Sequence, residues 1–427
     1  MNTAELAETC ASAVSGGRLG RMLDGLAQWG AREDGGVDRQ TLTPQDLAAR
    51  RWIAGLYATR AGYKVAIDAA ANIFIRREGS DPALAPVLTG SHLDTQPAGG
   101  RLDGAFGVVA GLEVFNALDE AGIQTQRAME VAAWTNEEGC RFSPGLMGSN
   151  AFVDPTQMDG LRSVLDAQGI TFGAAVDSAC QDFAETARSN GWHGFDAPMK
   201  RAIHACIEAH IEQGPELERA ALQVGCVNAI QGVRWYEMTF SGRSSHAGTT
   251  PLAARDDAMV KAVAAAHAVL GMAALEMQAD PSLRITVGRF QALPASINTI
   301  AREARFTIDL RHPDDKVLEA MQVRLLHLCA QASHTEVLLR KPPVPFDAAL
   351  HQLTQEACTR LGLPHMSMLS GAFHDAMPLA AHTPTVMLFA PSRDGLSHNP
   401  AEHTPIEDLT ACARALAFCM TRLACPN

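Results

Sequence analysis

Short apolar runs that end in polar or glycine-rich turns, and then give way to helical spacing, recur along this chain of 427 residues. Residues 86–90 lead into the turn at 91–94, and residues 129–135 lead into the turn at 136–138. Between them, apolar side chains recur at helical spacing over residues 108–118. This alternation predicts an α/β fold in which helices cover buried strands. Such sheets usually bind ligands in the polar turns at their strand ends, so we expect the functional site there.

The order of predicted elements changes near Val227. From there it runs strand, helix, strand, strand, helix, strand, over the segments 235–240, 255–272, 284–290, 304–310, 315–328 and 336–340. That order is typical of a ferredoxin-like α+β domain. Because α/β signals resume after Lys341-Pro342-Pro343, we predict a larger discontinuous domain of residues 1–227 and 342–427 and an inserted domain of residues 228–341. A chain of this length also exceeds what one hydrophobic core usually supports.

The charge balance argues against polyanionic partners. The sequence has 35 Lys plus Arg against 47 Asp plus Glu, a formal net charge of −12, without a basic cluster. Such a chain repels phosphate backbones and anionic lipid. Residues 1–20 lack a basic segment followed by an apolar one, and no uninterrupted apolar stretch of about 18 residues occurs. We therefore expect a cytoplasmic protein with no nucleic-acid or membrane partner.

Four polar clusters carry residue types that bind metal ions or transfer protons. His92 and Asp94 precede Asp103 at a predicted strand end, and imidazole and carboxylate groups are common ligands of divalent cations. The remaining clusters are Glu137-Glu138, the alternating Glu208, His210 and Glu212, and His398. Each cluster taken alone is also compatible with a solvated turn or with the polar face of a strand.

Seven segments follow one another along the chain: TGSHLDT, GGRLDGAFGV, NEEG, HIEQGPELE, SHAGTTP, SGAFHDA and SHNPAEHT. In this order and spacing, over about residues 80–405, the chain resembles the zinc-dependent amidase, hydantoinase and carbamoylase branch of the M20 metallopeptidase superfamily. The resemblance implies a mixed-sheet hydrolase domain with a dinuclear metal site. It also implies that the inserted ferredoxin-like domain serves as a lid and as a dimerisation domain.

The resemblance further implies two divalent metal ions per chain, with Zn, Mn, Co or Ni as candidates. The implied ligands are His92, Asp103 and His210 for one ion, and Asp103, Glu138 and His398 for the other, so that Asp103 bridges the two. Glu137 is implied as the general base. Asp94 is implied as the residue that orients His92 by accepting the second ring N–H.

Substrate binding is implied for residues of both domains. In similar proteins the positions that match His246, Asn298 and Arg311 lie on the inserted domain and contact the substrate, and the guanidinium at the position of Arg311 grips its carboxylate. The remaining implied substrate-binding residues are Gln213, Gly371 and Ala372. Similar proteins also pair through this domain and offer the residue that matches His246 to the partner's site, so we expect a homodimer.

His210 favours one activity within the superfamily. Aminoacylases and carboxypeptidases usually carry an acidic residue at this position, so His210, with Gln213-Gly214, favours a hydrolase that removes a carbamoyl or ureido group and releases ammonia and carbon dioxide. The alternatives are an amidohydrolase of N-acyl amino acids or dipeptides and a catalytically silent metal-binding homologue. The sequence does not distinguish N-carbamoyl-L-α-amino acids from N-carbamoyl-β-alanine, allantoate or ureidoglycolate, which all present a carboxylate and a ureido group.

Overall fold

A computed structural model describes residues 2–425. The chain forms two compact units. The first unit contains the chain up to Asn228, Phe346–Met368 and the chain from Ala372 onward, and the second contains Ala229–Pro345 with Leu369–Gly371.

The chain up to residue 230 supplies most of the first unit. Its elements are α1 (Thr3–Ala13), α2 (Gly16–Ala27), α3 (Pro44–Gly55), β1 (Tyr63–Ile67), β2 (Ile73–Arg77), β3 (Val87–His92), α4 (Ala105–Glu120), β4 (Met129–Trp134), α5 (Met147–Val153), α6 (Met158–Leu161), α7 (Phe172–Asn190), β5 (Ala205–Ile211), α8 (Glu216–Arg219) and β6 (Val224–Ile230). The helix and the two strands predicted around the first turns are therefore present as α4, β3 and β4.

The second unit has the predicted element order. It contains β7 (Gly232–Ser241), α9 (Ala258–Ala279), β8 (Arg284–Leu293), β9 (Glu303–His312), α10 (Asp315–Leu328), β10 (His334–Lys341) and β11 (Val344–Pro345). The strands from β7 to β10 form an antiparallel sheet in the order β10-β7-β9-β8. One core joins this sheet to α9 and α10, with Met238, Phe306 and Val269 among its buried side chains.

The remaining elements belong to the first unit, except for the last two residues of β12: α11 (Ala348–Arg360), β12 (His365–Ser370), α12 (Ala376–Leu379), β13 (Thr385–Ala390) and α13 (Ile406–Ala424). The large sheet runs in the order β1-β2-β4-β3-β5-β13-β6, and β12 also pairs with β6. β4, β3, β5 and β13 are mutually parallel, whereas β1, β2 and β6 pair antiparallel with their neighbours. The mixed-sheet α/β class predicted from the sequence is confirmed.

α9 spans Ala258–Ala279, so it begins and ends later than the helix predicted over residues 255–272. Within residues 2–425 it is the helix that is long and apolar enough to cross a membrane, with 22 residues and a mean hydropathy of 1.7 in its most apolar window. One face, including Ala262, Ala266 and Val269, is buried against the core of the second unit. Val263 and Leu270, which lie beside this buried face, are exposed. The contact of α9 with the sheet is typical of a core helix. The exposed apolar side chains of α9 are not covered by the described residues.

Candidate metal centre

The four parallel strands place polar residues at one edge of the large sheet. His92 is the last residue of β3, and His210 is the last but one of β5. Glu138 follows β4, and His398 follows β13. Because parallel strands have their carboxyl ends at the same edge, residues more than 300 positions apart in the sequence converge there. Asp103 reaches this edge from the turn that precedes α4.

The first group of candidate ligands is completely buried. The Nε2 atoms of His92 and His210 lie 3.6 and 3.1 Å from Oδ1 of Asp103. Each ring donates its Nδ1–H to a backbone carbonyl, of Asp94 at 2.8 Å for His92 and of Ile211 at 2.9 Å for His210. This fixes the tautomer and leaves both Nε2 atoms facing Asp103, as metal ligands require.

The second group uses the other oxygen of the same carboxylate. Nε2 of His398 lies 3.1 Å from Oδ2 of Asp103 and 3.4 Å from Oε2 of Glu138. In each group the candidate ligand atoms lie within 4.8 Å of one another. Oε1 of Glu138 is buried and has no hydrogen-bond partner among the described residues. A buried carboxylate oxygen is rarely left unpaired, so a divalent cation fits this donor set.

The pKa values of the candidate ligands also favour a bound cation. Burial alone would lower the pKa of His92 and His210, but neighbouring carboxylates, chiefly Glu137 and Asp103, raise it. Burial would raise the pKa of Asp103, but hydrogen bonds from the histidines hold it well below its usual range. Burial, followed by repulsion from Asp103, raises the pKa of Glu138 to about 7. The carboxylates thus favour positive charge at the imidazoles, which is the charge that a bound cation would supply.

Glu137 stands beside the ligands but belongs to neither group. Its Oε2 lies 3.5 Å from Nε2 of His92, and its side chain is 9% exposed. Burial raises its pKa well above the usual range of a carboxyl. Such a group can take up and release a proton close to a bound substrate.

Comparison with known proteins places this geometry in a family. The model of peptidase family M20/M25/M40 matches residues 88–422. The chain belongs to this family. Members of the M20 family use a divalent metal, and the two groups of ligands are the candidate sites for it in this chain.

The chain is similar to M20 amidohydrolases over nearly its whole length. It is 36% identical over 411 residues to the N-carbamoyl-L-amino-acid amidohydrolase of Rhizobium meliloti, covering 94% of this chain and 95% of the relative. It is 34% identical over 408 residues to the allantoate amidohydrolase of Escherichia coli strain K12, covering 93% and 96%. The solved structure of a hydantoinase/carbamoylase family amidase from Burkholderia multivorans superimposes with a TM-score of 0.87 at 39% identity, covering 97% and 98%. The predicted branch of the M20 superfamily is confirmed.

Asp94 differs from the sequence expectation. Its carboxylate was expected to accept the Nδ1–H of His92, but the nearer oxygen lies 3.8 Å from that nitrogen and the backbone carbonyl of Asp94 takes the hydrogen bond instead. The carboxylate is turned towards the next strand end, where it accepts the backbone N–H groups of Glu137 and Glu138 at 3.3 Å each. In this M20 chain, Asp94 therefore supports the turn that carries the general-base candidate and a ligand.

Several residues at the site carried no signal of their own in the sequence. Gln96 donates from Nε2 to Oε2 of Glu138 at 2.7 Å. The buried guanidinium of Arg39 donates to the carbonyl of Leu93 at 2.7 Å, which anchors the turn after β3. Gly104 has a φ of +64°, and a Cβ there would lie 2.5 Å from the ring of His92. The last of these could have been suspected, because a glycine at a helix start beside a ligand often permits close approach.

Gln213 was predicted to bind substrate, and the structure places its side chain on the carboxylate of Asp103. Its Nε2 donates to Oδ2 of Asp103 and to Oγ of Ser397, both at 3.1 Å. Its Oε1 is buried and has no hydrogen-bond partner among residues 2–425. That oxygen can accept a hydrogen bond from a ligand, which agrees with the predicted role without testing it.

Two of the predicted substrate residues of the second unit, His246 and Asn298, lie near each other. His246 forms a β-bridge with Thr299, next to Asn298, and its Nδ1 accepts the N–H groups of Gly248 and Thr249. Thus His246 caps a turn in this structure.

Arg311 has two partners within the second unit. It forms a bidentate pair with Asp309, and its Nη1 donates to the carbonyl of Gly371 at 2.7 Å. Gly371 belongs to the second unit and Ala372 to the first. The roles of these residues in substrate binding stay predictions.

Proposed function

We propose that this protein is a dinuclear metal-dependent amidohydrolase that removes the carbamoyl group from N-carbamoyl-L-amino acids. The observation that carries the proposal is the carboxylate of Asp103. Its Oδ1 faces one pair of nitrogen ligands, and its Oδ2 faces a second group. A carboxylate with both oxygens directed at separate ligand groups suits two cations that share one bridge. The similarity to carbamoylases over more than nine-tenths of the chain supports the choice of substrate class.

The donor set is compatible with several metals. The imidazoles of His92 and His210 with Asp103 would hold one ion, and Asp103 with Glu138 and His398 the other. Mixed nitrogen and oxygen ligands admit Zn, Mn, Co or Ni, and metal availability in the cell then decides. When bound, such ions polarise a carbonyl group and lower the pKa of water.

Glu137 would move the protons of the reaction. It takes a proton from the attacking water as oxygen bonds to the ureido carbon, and it delivers this proton to the terminal nitrogen as the C–N bond breaks. Ammonia leaves, and the remaining carbamate loses carbon dioxide to give the free amino acid. Burial raises the pKa of Glu137, and this helps its carboxyl group to hold the proton between the two steps.

Arg311 is our candidate for binding the substrate carboxylate. Its side chain is 26% exposed, and Asp309 fixes its plane through two hydrogen bonds. A guanidinium oriented in this way can still present N–H groups to an oxyanion. His246, Asn298, Gln213, Gly371 and Ala372 are proposed as the remaining substrate contacts.

The proposed partner is a second copy of this chain. α9 exposes Val260, Val263, Leu270 and Leu275 on one face, and it packs against β8, which is an edge strand of its sheet. An apolar face beside a free strand edge is self-complementary under two-fold symmetry. We propose a cytoplasmic homodimer. The net charge of −12 supports the absence of a nucleic-acid partner.

The direct test combines metal analysis with product detection. The purified protein is loaded with one metal at a time, its bound metal is counted, and ammonia release is measured with N-carbamoyl-L-amino acids, N-carbamoyl-β-alanine, allantoate and N-acetyl amino acids. We expect two ions per chain and ammonia from an N-carbamoyl-L-amino acid. Turnover of N-acetyl substrates alone would select the N-acyl amidohydrolase, and two metals without any turnover would select the silent homologue.

A further inference from the structure

A fully buried carboxylate outside both ligand groups holds together the two loops that carry Asp103 and His398. Glu402 is 4% exposed. Its Oε1 accepts the backbone N–H groups of Leu102 at 2.8 Å and of Asp103 at 3.1 Å. Its Oε2 lies 3.0 Å from Oγ of Ser397, whose single hydroxyl hydrogen is shared with Oδ2 of Asp103 at the same distance. One side chain therefore connects the 99–104 loop to the 397–402 loop.

The packing around this carboxylate leaves it little freedom. A Cβ at Gly100 would overlap the carboxyl group of Glu402, and the φ of Gly100 lies outside the left-handed region. The glycine is thus required by space and not by backbone conformation. The backbone N–H of Glu402 donates to the carbonyl of Asn399 at 2.9 Å, which closes the loop that begins at Ser397. The carboxyl group of Glu402 is therefore held against the 99–104 loop, and its backbone is held within the 397–402 loop.

The two candidate metal sites depend on this connection to different degrees. His92 and His210 lie in central strands of the sheet, so the fold holds them without help from the 397–402 loop. His398 lies in that loop with a φ of +53°, and its side chain is 48% exposed. Only the geometry of the two loops brings its imidazole to within 3.1 Å of Asp103.

We propose that Glu402 is a positioning residue that fixes Asp103 and His398 relative to each other and thereby sets the affinity of the metal site formed with Glu138. This inference rests on the proposed dinuclear function. Residues that orient metal ligands typically change metal affinity about 10- to 100-fold when they are removed. The effect should fall mainly on the site that contains His398, since the other site has two ligands in β-strands.

The experiment measures binding of Co²⁺ to the metal-free full-length protein by titration calorimetry. We expect two sites in the wild type. In Glu402→Ala, one site should weaken about 10- to 100-fold, and the other should change less. In Glu402→Gln, affinity should stay close to that of the wild type. The amide oxygen can accept both N–H groups, and its NH₂ can donate to Ser397, so the connection survives the loss of charge.

Asp68 offers a matched control. It is 5% exposed, its Oδ1 accepts two backbone N–H groups at 2.9 Å, from Ala70 and Asn72, and its Oδ2 accepts the side chain of Asn72. Asp68→Ala removes a comparable set of hydrogen bonds outside the 99–104 and 397–402 loops. This variant should lower the free energy of unfolding without weakening one Co²⁺ site more than the other. Gly100→Ala is the second variant: it displaces the carboxylate sterically and should reproduce the effect of Glu402→Ala.

The outcomes separate this inference from the proposed function. A wild type that binds no Co²⁺ would refute the metal centre itself. Two unchanged affinities in Glu402→Ala and in Gly100→Ala would overturn the positioning role alone. The positioning role would also be overturned if Glu402→Gln lost as much Co²⁺ affinity as Glu402→Ala, or if Asp68→Ala weakened the same single site. The site is identified by adding Glu402→Ala to His398→Ala, where a shared site gives effects that are less than additive.

Discussion

Replacing Glu137 with glutamine separates proton transfer from metal binding. Glutamine has nearly the volume of glutamate, and Glu137 belongs to neither group of ligands, so the fold and both metals should be retained. The amide cannot take a proton from water or pass one to the leaving nitrogen. Oε2 of Glu137 lies 3.5 Å from Nε2 of the candidate ligand His92. That contact is too long to support the ring by itself.

The expected loss is at least about a hundredfold in turnover. A positioned general acid or base typically contributes about 10²- to 10⁴-fold. At about 1.36 kcal/mol per tenfold, this corresponds to about 2.7–5.4 kcal/mol of activation free energy. Burial puts Glu137 towards the upper part of this range, because its 9% exposure gives bulk water little access as a substitute base.

The neighbouring carboxylate provides the matched control. Glu138→Gln removes a ligand of the second group, so its metal content should fall below two per chain, whereas Glu137→Gln should keep both ions. Metal content is measured by mass spectrometry, and ammonia release is followed in single turnovers with metal-loaded protein. Near-normal turnover by a Glu137→Gln variant that holds two metals would refute the proposed base.

Three further predictions concern the bridge, the protons and the assembly. Asp103→Asn should weaken both sites, since a neutral amide cannot bridge two cations as a carboxylate does, and two metals bound with unchanged affinity would reject the bridge. The pKa of each of the three candidate ligand histidines is raised in the metal-free protein, so cation binding must displace protons. Metal affinity should therefore rise with pH through the neutral range, with protons released in calorimetry; an affinity independent of pH between about 6 and 8 would contradict this. Finally, exchange of subunits between Glu137→Gln and His246→Ala should restore activity if His246 acts across the dimer, because one hybrid site then carries neither defect. Verified exchange without recovery would place His246 in its own chain's site or outside catalysis.

Local pattern was sufficient to place the ligand-bearing strand ends. His92 is the last residue of β3, and the Glu137-Glu138 pair follows β4 directly, as the apolar runs had predicted. The alternation of Glu208 and His210 was less informative. It was compatible with a polar face on a half-exposed strand, but every residue of β5 is buried. A central parallel strand is covered on both sides, so alternation in its sequence does not report which side faces water.

Hydrogen bonds between segments that are distant in the sequence could not be predicted from local sequence patterns. Glu402 accepts hydrogen bonds from residues about 300 positions away. It lies in the segment SHNPAEHT, which drew attention to His398, but nothing in that segment indicates which distant N–H groups its carboxylate accepts. Asp94 illustrates a different limit. The sequence placed it correctly beside His92, but the direction of its carboxylate depends on the N–H groups that another strand end presents. A position can be predicted from periodicity, whereas a rotamer depends on the three-dimensional neighbours.

α9 shows why composition and structure have to be combined before a partner can be inferred. Its 22 residues are apolar enough for a membrane span, a core helix or an interface. Burial of Ala262, Ala266 and Val269 on the sheet excludes a helix surrounded by lipid, because one face is already occupied. The exposed Val263 and Leu270 remain, and removing such side chains from water contributes about 25 cal/mol per Å² of buried apolar surface. A second α9 supplies an equally apolar surface, and the adjacent β8 is an edge strand of the same unit. The partly buried helix with an exposed apolar side therefore supports the homodimer proposed above.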